Sequence, residues 1–225
     1  MTPRRLLPIL LLALASTGCV PQGPDLAAWW FEQPVASSAT DQPTQQHVVV
    51  IGDSLTVGAE QPAKEAWKPT GAAVSYNAFG GTQWQHWSAR FANVPQGSTL
   101  LVLLGTNDLG NLDLQTAEWN TLAALNIVAA QQPACVVWFR LNTTTAALRK
   151  PAIMGRTLAY NAWFDQLVAD GTYPWLTIEP WDVTSDGHTE WLQLPADPVH
   201  MTPDGYRAYA EAQAGAPARC AQPAA

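Results

Sequence analysis

Three residue types that together activate a nucleophile occur in two short segments of the sequence. The segment 48–55 ends in Gly-Asp-Ser-Leu and supplies Ser54, whereas the segment Asp-Pro-Val-His supplies Asp197 and His200. A serine hydroxyl is a poor nucleophile until a base removes its proton, and His200 can be that base. Asp197 precedes His200 by three residues, so its carboxylate can accept a hydrogen bond from the other ring nitrogen. The sequence therefore predicts a Ser54–His200–Asp197 triad.

Two further segments could stabilise the negative charge that an attacking serine creates on a carbonyl oxygen. The mainly apolar run 99–105 precedes Asn107, whose side-chain amide could donate a hydrogen bond to such an oxygen. Gly80 and Gly81 follow another strand-like run, and glycine lets a backbone N–H approach a ligand closely. Both segments are therefore candidates for the same site as Ser54.

The elements that position these residues alternate along the chain. Apolar and β-branched runs predict strands, and helical periodicity predicts helices. The strands are expected at residues 47–52, 73–78, 99–105, 135–141 and 175–179, and the helices at 83–91, 114–130, 153–169 and 203–213. This alternation is typical of a parallel sheet with helices on both faces. Ser54 and Asn107 each follow a strand, so both are expected at the carboxyl ends of the sheet, where ligands bind.

The last helix has a clear start signal directly after the histidine. Thr202 is expected to be its N-cap, and Pro203 its first helical residue. His200 is therefore expected in the segment that leads into this helix.

Gly52-Asp53-Ser54-Leu55 resembles the signature of the GDSL, or SGNH, hydrolase family. The four sequence blocks of that family occur in order between residues 47 and 217: Ser54 in the first, Gly81 or Gly80 in the second, Asn107 in the third, and Asp197 with His200 in the last. The resemblance implies that Ser54, Gly81 and Asn107 form the oxyanion hole. Gly80 is the alternative to Gly81 and is otherwise expected to border the pocket.

The same resemblance implies a fold and a class of reaction. The fold is three-layer α/β/α and flavodoxin-like, with a five-stranded parallel sheet of strand order 2-1-3-4-5. The activity is that of a serine esterase, lipase, thioesterase or carbohydrate esterase. The resemblance does not imply a particular substrate.

Other catalytic patterns do not fit the sequence. A Gly-x-Ser-x-Gly elbow would need glycine at position 56, where the chain has Thr56. Zinc-like Cys/His spacing, a Walker sequence and a dinucleotide fingerprint are absent, so we expect no metal and no cofactor. Asp53 is expected to be a structural hydrogen-bonding group.

The composition narrows the choice of partners. The net charge of −7 disfavours nucleic acid and anionic lipid as partners. We also expect a monomer that acts on a small-molecule or polysaccharide ester.

The amino-terminal residues are typical of an exported protein. A basic start precedes the apolar run 6–15, which is too short to span a bilayer and fits a signal peptide over residues 1–18. Small residues before Cys19 resemble a bacterial lipoprotein box, which predicts lipidation of Cys19; plain secretion and an uncleaved anchor are the alternatives. Residues 19–46 are expected to form a tether, and residues 47–225 the hydrolase domain. The protein is therefore expected outside the cytoplasm, anchored by lipid or secreted.

The number of cysteines supports this location. If Cys19 carries lipid, Cys135 and Cys220 remain, and two cysteines can pair in an oxidising compartment. We therefore predict a Cys135–Cys220 disulfide that fastens the C-terminal tail to the fourth strand; two free thiols are the alternative.

Several polar and aromatic residues are candidates for the border of the pocket. Asn142 follows the fourth strand and Trp84 follows the glycine pair, so both are expected to line it. Trp119 and Trp163 lie in helical periods and are expected to pack inside the protein. Arg140 is expected to pair with a carboxylate or to reach the substrate.

Three classes of function are compatible with these motifs. The first is a serine hydrolase that cleaves esters of acylated carbohydrates, small molecules or lipids through an acyl-enzyme on Ser54. The second is an acyltransferase that uses the same acyl-enzyme. The third is a non-catalytic module that binds glycan or lipid, but such a module has no need of a base aligned on a serine.

Overall fold

One five-stranded parallel sheet forms the centre of the computed structural model, which describes residues 46–221. Its strands are β1 (His47–Gly52), β2 (Ala73–Ala78), β3 (Thr99–Leu103), β4 (Cys135–Phe139) and β5 (Leu176–Glu179). Their order is β2-β1-β3-β4-β5, which confirms the predicted order 2-1-3-4-5. The predicted signal peptide, Cys19 and the tether up to residue 45 lie outside the described residues.

Helices cover both faces of the sheet. They are α1 (Ser54–Trp67), α2 (Ser88–Phe91), α3 (Thr106–Asn111), α4 (Leu114–Ala129), α5 (Thr143–Arg149), α6 (Pro151–Ala169), α7 (Trp181–Thr184) and α8 (Pro203–Gly215). Short 3₁₀ turns occur at Lys68–Thr70, Trp84–Trp87, Thr189–Trp191 and Ala216–Ala221. The predicted helix 83–91 is therefore a 3₁₀ turn followed by α2.

A second, two-stranded antiparallel sheet is formed by β6 (Leu192–Gln193) and β7 (Asp197–Met201). This hairpin, together with α1, α3, α5 and α7, was not predicted. The hairpin leads directly into α8, which begins as expected with Thr202 as N-cap and Pro203 in the first turn.

The apolar strands are buried on both faces. Val49, Ile51 and Leu100 face a core cluster that also contains residues of α2, α4 and α6. Val50 and Leu101 face a second cluster with residues of α1 and α8. Burial on both faces explains why these strands read as nearly continuous apolar runs.

Two tryptophans lie where the sequence analysis did not place them. Trp84 is fully buried and stacks near Phe91 and Phe164, so it belongs to the core and does not line a substrate pocket. Trp119 is 73% exposed because it lies on the side of α4 that faces away from the sheet. Trp163 packs against the core, as predicted.

The C-terminal segment is fastened to the sheet as predicted. A disulfide joins Cys135, the first residue of β4, to Cys220 in the last 3₁₀ turn, with a Cα–Cα distance of 5.8 Å. Arg219 adds an ion pair of 2.9 Å with Glu179. Arg140 is paired with Asp165 and Asp182, which confirms that its partners are carboxylates.

Loss of the disulfide is expected to lower stability without affecting catalysis. Replacing both cysteines by alanine should lower the free energy of unfolding by about 2 to 4 kcal/mol, because the bridge closes a long loop in the unfolded chain. The melting temperature should then fall by roughly 5 to 15 °C. Activity in the cold should persist, because Cys135 lies at the amino end of β4, away from the carboxyl ends of the strands.

Scanning calorimetry of the wild type and the double variant measures this difference. A non-reducing peptide map that yields two separately alkylated cysteine peptides, in place of one linked pair, would contradict the bridge.

Candidate active site

Ser54 is positioned by the junction between β1 and α1. The strand ends at Gly52, and Ser54 is the first residue of the helix. Asp53 caps the helix, because its side chain accepts a hydrogen bond of 3.0 Å from the backbone N–H of Leu55. Asp53 is thus a structural hydrogen-bonding group, and Ser54 lies at the carboxyl edge of the sheet.

Asp197 and His200 lie together on β7. One carboxylate oxygen of Asp197 accepts hydrogen bonds from the backbone N–H groups of Val199, at 2.8 Å, and His200, at 3.1 Å. Met201, the next residue, is buried and pairs with Leu192 of β6. The hairpin therefore fixes the acid and the base relative to each other.

A chain of two hydrogen bonds connects the three predicted triad residues. The second carboxylate oxygen of Asp197 lies 2.6 Å from His200 Nδ1, and His200 Nε2 lies 3.0 Å from Ser54 Oγ. The side chain of His200 is 37% exposed, so the base is reachable from solvent. These are the distances and the order that proton transfer from a serine to an oriented imidazole requires.

Asp197 remains ionised at neutral pH. Burial tends to raise the pKa of its carboxyl group, but the hydrogen bonds from the His200 side chain and from the backbone of His200 and Val199 outweigh it and lower the pKa to about 2. An ionised carboxylate keeps the proton of the imidazole on Nδ1 and leaves Nε2 free to face the hydroxyl of Ser54.

Asn107 lies in the first turn of α3, immediately after β3. Its amide nitrogen is 3.1 Å from the carbonyl oxygen of Thr82 and 3.3 Å from the carboxylate of Asp53. The side-chain amide of Gln83 in turn donates a hydrogen bond of 3.3 Å to the backbone carbonyl of Asn107. The amide therefore links the Ser54 junction to the segment that follows β2.

The glycine pair lies beside the serine. A Cβ atom on Gly80 would be 3.8 Å from the Cβ of Ser54, which places Gly80 in van der Waals range of the triad. Gly81 has a φ of +74°, in the left-handed region. The structure thus brings Ser54, the glycine pair, Asn107, Asp197 and His200 to one edge of the sheet.

Two buried carboxyl groups lie close to Asn107: Asp53 contacts its side-chain amide, and Asp108 is the next residue in the chain. Burial raises the pKa of Asp53 to about 7, against the lowering effects of the Leu55 N–H and the charge of His200. Burial likewise raises the pKa of Asp108 to about 7, although one of its oxygens accepts a hydrogen bond from the backbone of Trp84. Asp108 was missed in the sequence because a single aspartate after an asparagine carries no signal of burial.

A cavity lies next to the triad, between β7 and α5 and over the ends of β3 and β4. Its lining is mainly apolar and includes Leu55 and Met201, the chain neighbours of Ser54 and His200. Asn142 lines it, where the sequence placed it, and also caps α5 by accepting a hydrogen bond of 2.9 Å from Thr145 N–H. Arg149 lines it too, although no sequence motif singled this residue out.

The sequence matches one known protein family. The profile of the GDSL-like lipase/acylhydrolase family matches residues 50–208, well over half of the chain. No curated protein matches the sequence.

Solved structures share the fold at low sequence identity. The C-terminal catalytic domain of peptidoglycan O-acetyltransferase A from Streptococcus pneumoniae has a TM-score of 0.59 and 18% identity, over 79% of this chain and 95% of that one. An acetylxylan esterase from Geobacillus stearothermophilus has a TM-score of 0.58 and 15% identity, over 75% and 92%. A lipolytic G-D-S-L protein from Veillonella parvula has a TM-score of 0.57 and 14% identity, over 76% and 96%.

The matched range contains the serine, the glycine pair, the asparagine, the aspartate and the histidine that the fold brings together. The chain therefore belongs to the GDSL-like lipase/acylhydrolase family of SGNH hydrolases and is a carboxylic ester hydrolase.

Proposed function

We propose that this protein is an extracytoplasmic serine esterase that removes acetyl groups from carbohydrate through an acyl-enzyme on Ser54. The observation that carries the proposal is the continuous hydrogen-bond chain from Asp197 through His200 to Ser54. A chain of this kind makes a serine hydroxyl nucleophilic, and a protein that only binds its ligand does not need it.

In the first half of the reaction, Ser54 Oγ attacks the ester carbonyl carbon while His200 Nε2 takes the hydroxyl proton. The ionised Asp197 stabilises the resulting imidazolium without receiving the proton itself. The tetrahedral intermediate collapses as His200 returns this proton to the leaving alcohol oxygen. An acetyl-serine and a free sugar hydroxyl result.

In the second half, water takes the place of the alcohol. His200 removes a proton from the water, whose oxygen attacks the acetyl carbonyl, and then returns that proton to Ser54 Oγ as the bond to the serine breaks. Acetic acid leaves and the enzyme regains its starting state. The backbone N–H groups of Ser54 and Gly81 and the side-chain amide of Asn107 serve as donors to the oxyanion in both halves.

Asn107 must shift its hydrogen bonding for this role. Its amide already contacts the carbonyl of Thr82 and the carboxylate of Asp53 in the free protein. Because the contact with Asp53 is long at 3.3 Å, an oxyanion that carries a full negative charge competes well with it.

The choice of an acetylated carbohydrate is supported by two of the similar structures. One is named as an acetylxylan esterase and the other as a peptidoglycan O-acetyltransferase, so both act on acetyl groups of polysaccharides. The second also makes acyl transfer to a sugar hydroxyl a candidate reaction here, because transfer and hydrolysis share the acyl-enzyme.

The proposed location outside the cytoplasm is supported by the disulfide, because such bridges persist in oxidising compartments. Within residues 46–221 there is no helix with the length and apolar character to cross a bilayer. Lipidation at Cys19 remains a proposal that rests on the sequence alone.

The test of the proposed function compares esters of increasing acyl length. We expect the wild type to prefer 4-nitrophenyl acetate over the butyrate and octanoate and to release acetate from acetylated xylan. Ser54→Ala should fold normally and lose nearly all of this activity, because no acyl-enzyme can form. Ser88→Ala, at the start of α2, is the matched control and should keep it.

Product analysis distinguishes the outcomes of this assay. A preference for the octanoate would indicate a lipid ester as the substrate in place of an acetylated carbohydrate. Acetate found on an added sugar acceptor instead of in solution would assign transfer. Full activity in Ser54→Ala would contradict the nucleophile.

A second prediction concerns the oxyanion hole. Asn107→Ala should lower kcat by about 10²- to 10³-fold and change KM little, because the lost hydrogen bond forms fully only in the transition state. Steady-state kinetics with 4-nitrophenyl acetate measures both constants. The exposed Asn111→Ala, at the end of the same helix, is the control. A loss confined to KM would make Asn107 a substrate-positioning residue instead.

A further inference from the structure

Two arginines that the proposed reaction does not use line the cavity beside the triad: Arg140, which is paired with carboxylates, and Arg149. Arg149, the last residue of α5, lines this cavity together with Leu55 and Met201. Its Nη1 donates a hydrogen bond of 3.3 Å to the backbone carbonyl of Thr106, the residue directly before Asn107. The guanidinium therefore lies at the carboxyl end of β3, against the residue that precedes Asn107 in the chain.

Arg149 has no counter-ion of its own in the described part of the chain. Three other arginines of that part, Arg140, Arg207 and Arg219, form ion pairs with carboxylates, whereas Arg149 forms none. Arg156 of α6 also donates to a backbone carbonyl, that of Leu109 at 2.7 Å. Arg149 and Arg156 are thus two half-buried guanidinium groups without carboxylate partners in a chain whose net charge is −7, and of the two only Arg149 lines the cavity.

The surroundings make this arrangement costly for the free protein. Burial lowers the pKa of Arg149, the positive charge of Arg156 lowers it further, and the negative charge of Asp197 opposes both. An anion bound in the cavity at Arg149 would supply a counter-charge that offsets the repulsion from Arg156 and the cost of burying the guanidinium.

The backbone of α3 leaves room for the guanidinium. A Cβ atom on Gly110 would lie 2.5 Å from Arg149 Nη2, so any larger residue at this position would displace the end of the arginine side chain. Glycine at position 110 therefore keeps Arg149 against the cavity.

We propose that Arg149 binds a carboxylate carried by the sugar from which the acetyl group is removed, so that the substrate is an acetylated acidic carbohydrate. A guanidinium matches a carboxylate with two parallel hydrogen bonds, and its N–H groups are not all used by the protein. The carboxylate belongs to the alcohol part of the ester because an acetyl group cannot carry one. This inference rests on the proposed function.

The experiment uses two esters that differ only in this charge: a monoacetylated methyl glycoside of glucuronic acid and the methyl ester of the same compound. The measured quantity is the ratio of kcat/KM for the acid to kcat/KM for its methyl ester. In the wild type this ratio should be about 10 to 100, the effect of a charge-assisted hydrogen bond pair.

Four variants test whether Arg149 causes the preference for the acid over its methyl ester. Arg149→Met should bring the ratio close to one, and Arg149→Lys should keep part of it because a lysine retains the charge but not the paired geometry. Gly110→Ala should lower the ratio by displacing the guanidinium. Arg207→Met, which removes an exposed arginine of α8, should leave the ratio as in the wild type. A ratio near one in the wild type, or an unchanged ratio in Arg149→Met, would overturn the inference.

A binding measurement distinguishes failure of this inference from failure of the proposed function. Calorimetric titration of Ser54→Ala with the two esters does not depend on hydrolysis. If the acid binds more tightly than its methyl ester, and this difference disappears in Ser54→Ala/Arg149→Met, the carboxylate site is supported. This holds even if the wild type cleaves neither ester, and in that case only the proposed reaction fails. Equal binding of the two esters would overturn the carboxylate site.

Discussion

The side chains of Ser54 and His200 are 146 residues apart in the chain, and one hydrogen bond of 3.0 Å joins them. Two separate elements must hold this distance: the junction between β1 and α1, and the hairpin that contains β7. The hairpin leads into α8, which packs along α1, so the two elements are connected through the core as well. A shift of 1 Å in the α1–α8 packing would therefore separate the base from the nucleophile.

Close contact between these helices depends on their small residues. Tyr206 of α8 lies so near Gly58 of α1 that a Cβ atom there would be 2.1 Å from its ring. Ala59 and Ala210 are fully buried in the same cluster. The interface that maintains the triad is thus built from residues outside the family motifs, and substitutions within it should affect catalysis through geometry.

The sequence was sufficient for the sheet and for the identity of the central site residues. Strands buried on both faces give apolar runs that stand out, and β1 and β2 were predicted with their observed bounds. Helix α1 was not predicted, because Pro62 and its polar residues interrupt the helical period. Trp84 was misplaced because a sequence does not show which neighbours an aromatic ring will meet.

Arg149 shows why a pocket is harder to predict than a triad. A triad is encoded in short segments with fixed spacing, whereas α5, α3 and β7 meet around Arg149 only after folding. Arg140 was singled out from the sequence and Arg149 was not, yet both line the cavity of the folded protein and only Arg140 is paired with carboxylates. Specificity is therefore the part of the function that needs the structure.

The most direct test of the central claim is covalent labelling with a fluorophosphonate, followed by peptide mass spectrometry. The hydrogen-bond chain predicts one modified peptide, with the label on Ser54, and labelling much slower in His200→Ala than in Asp197→Asn, because the histidine moves the proton and the aspartate only orients it. A label on another serine, or wild-type labelling of Ser54 in His200→Ala, would contradict the account.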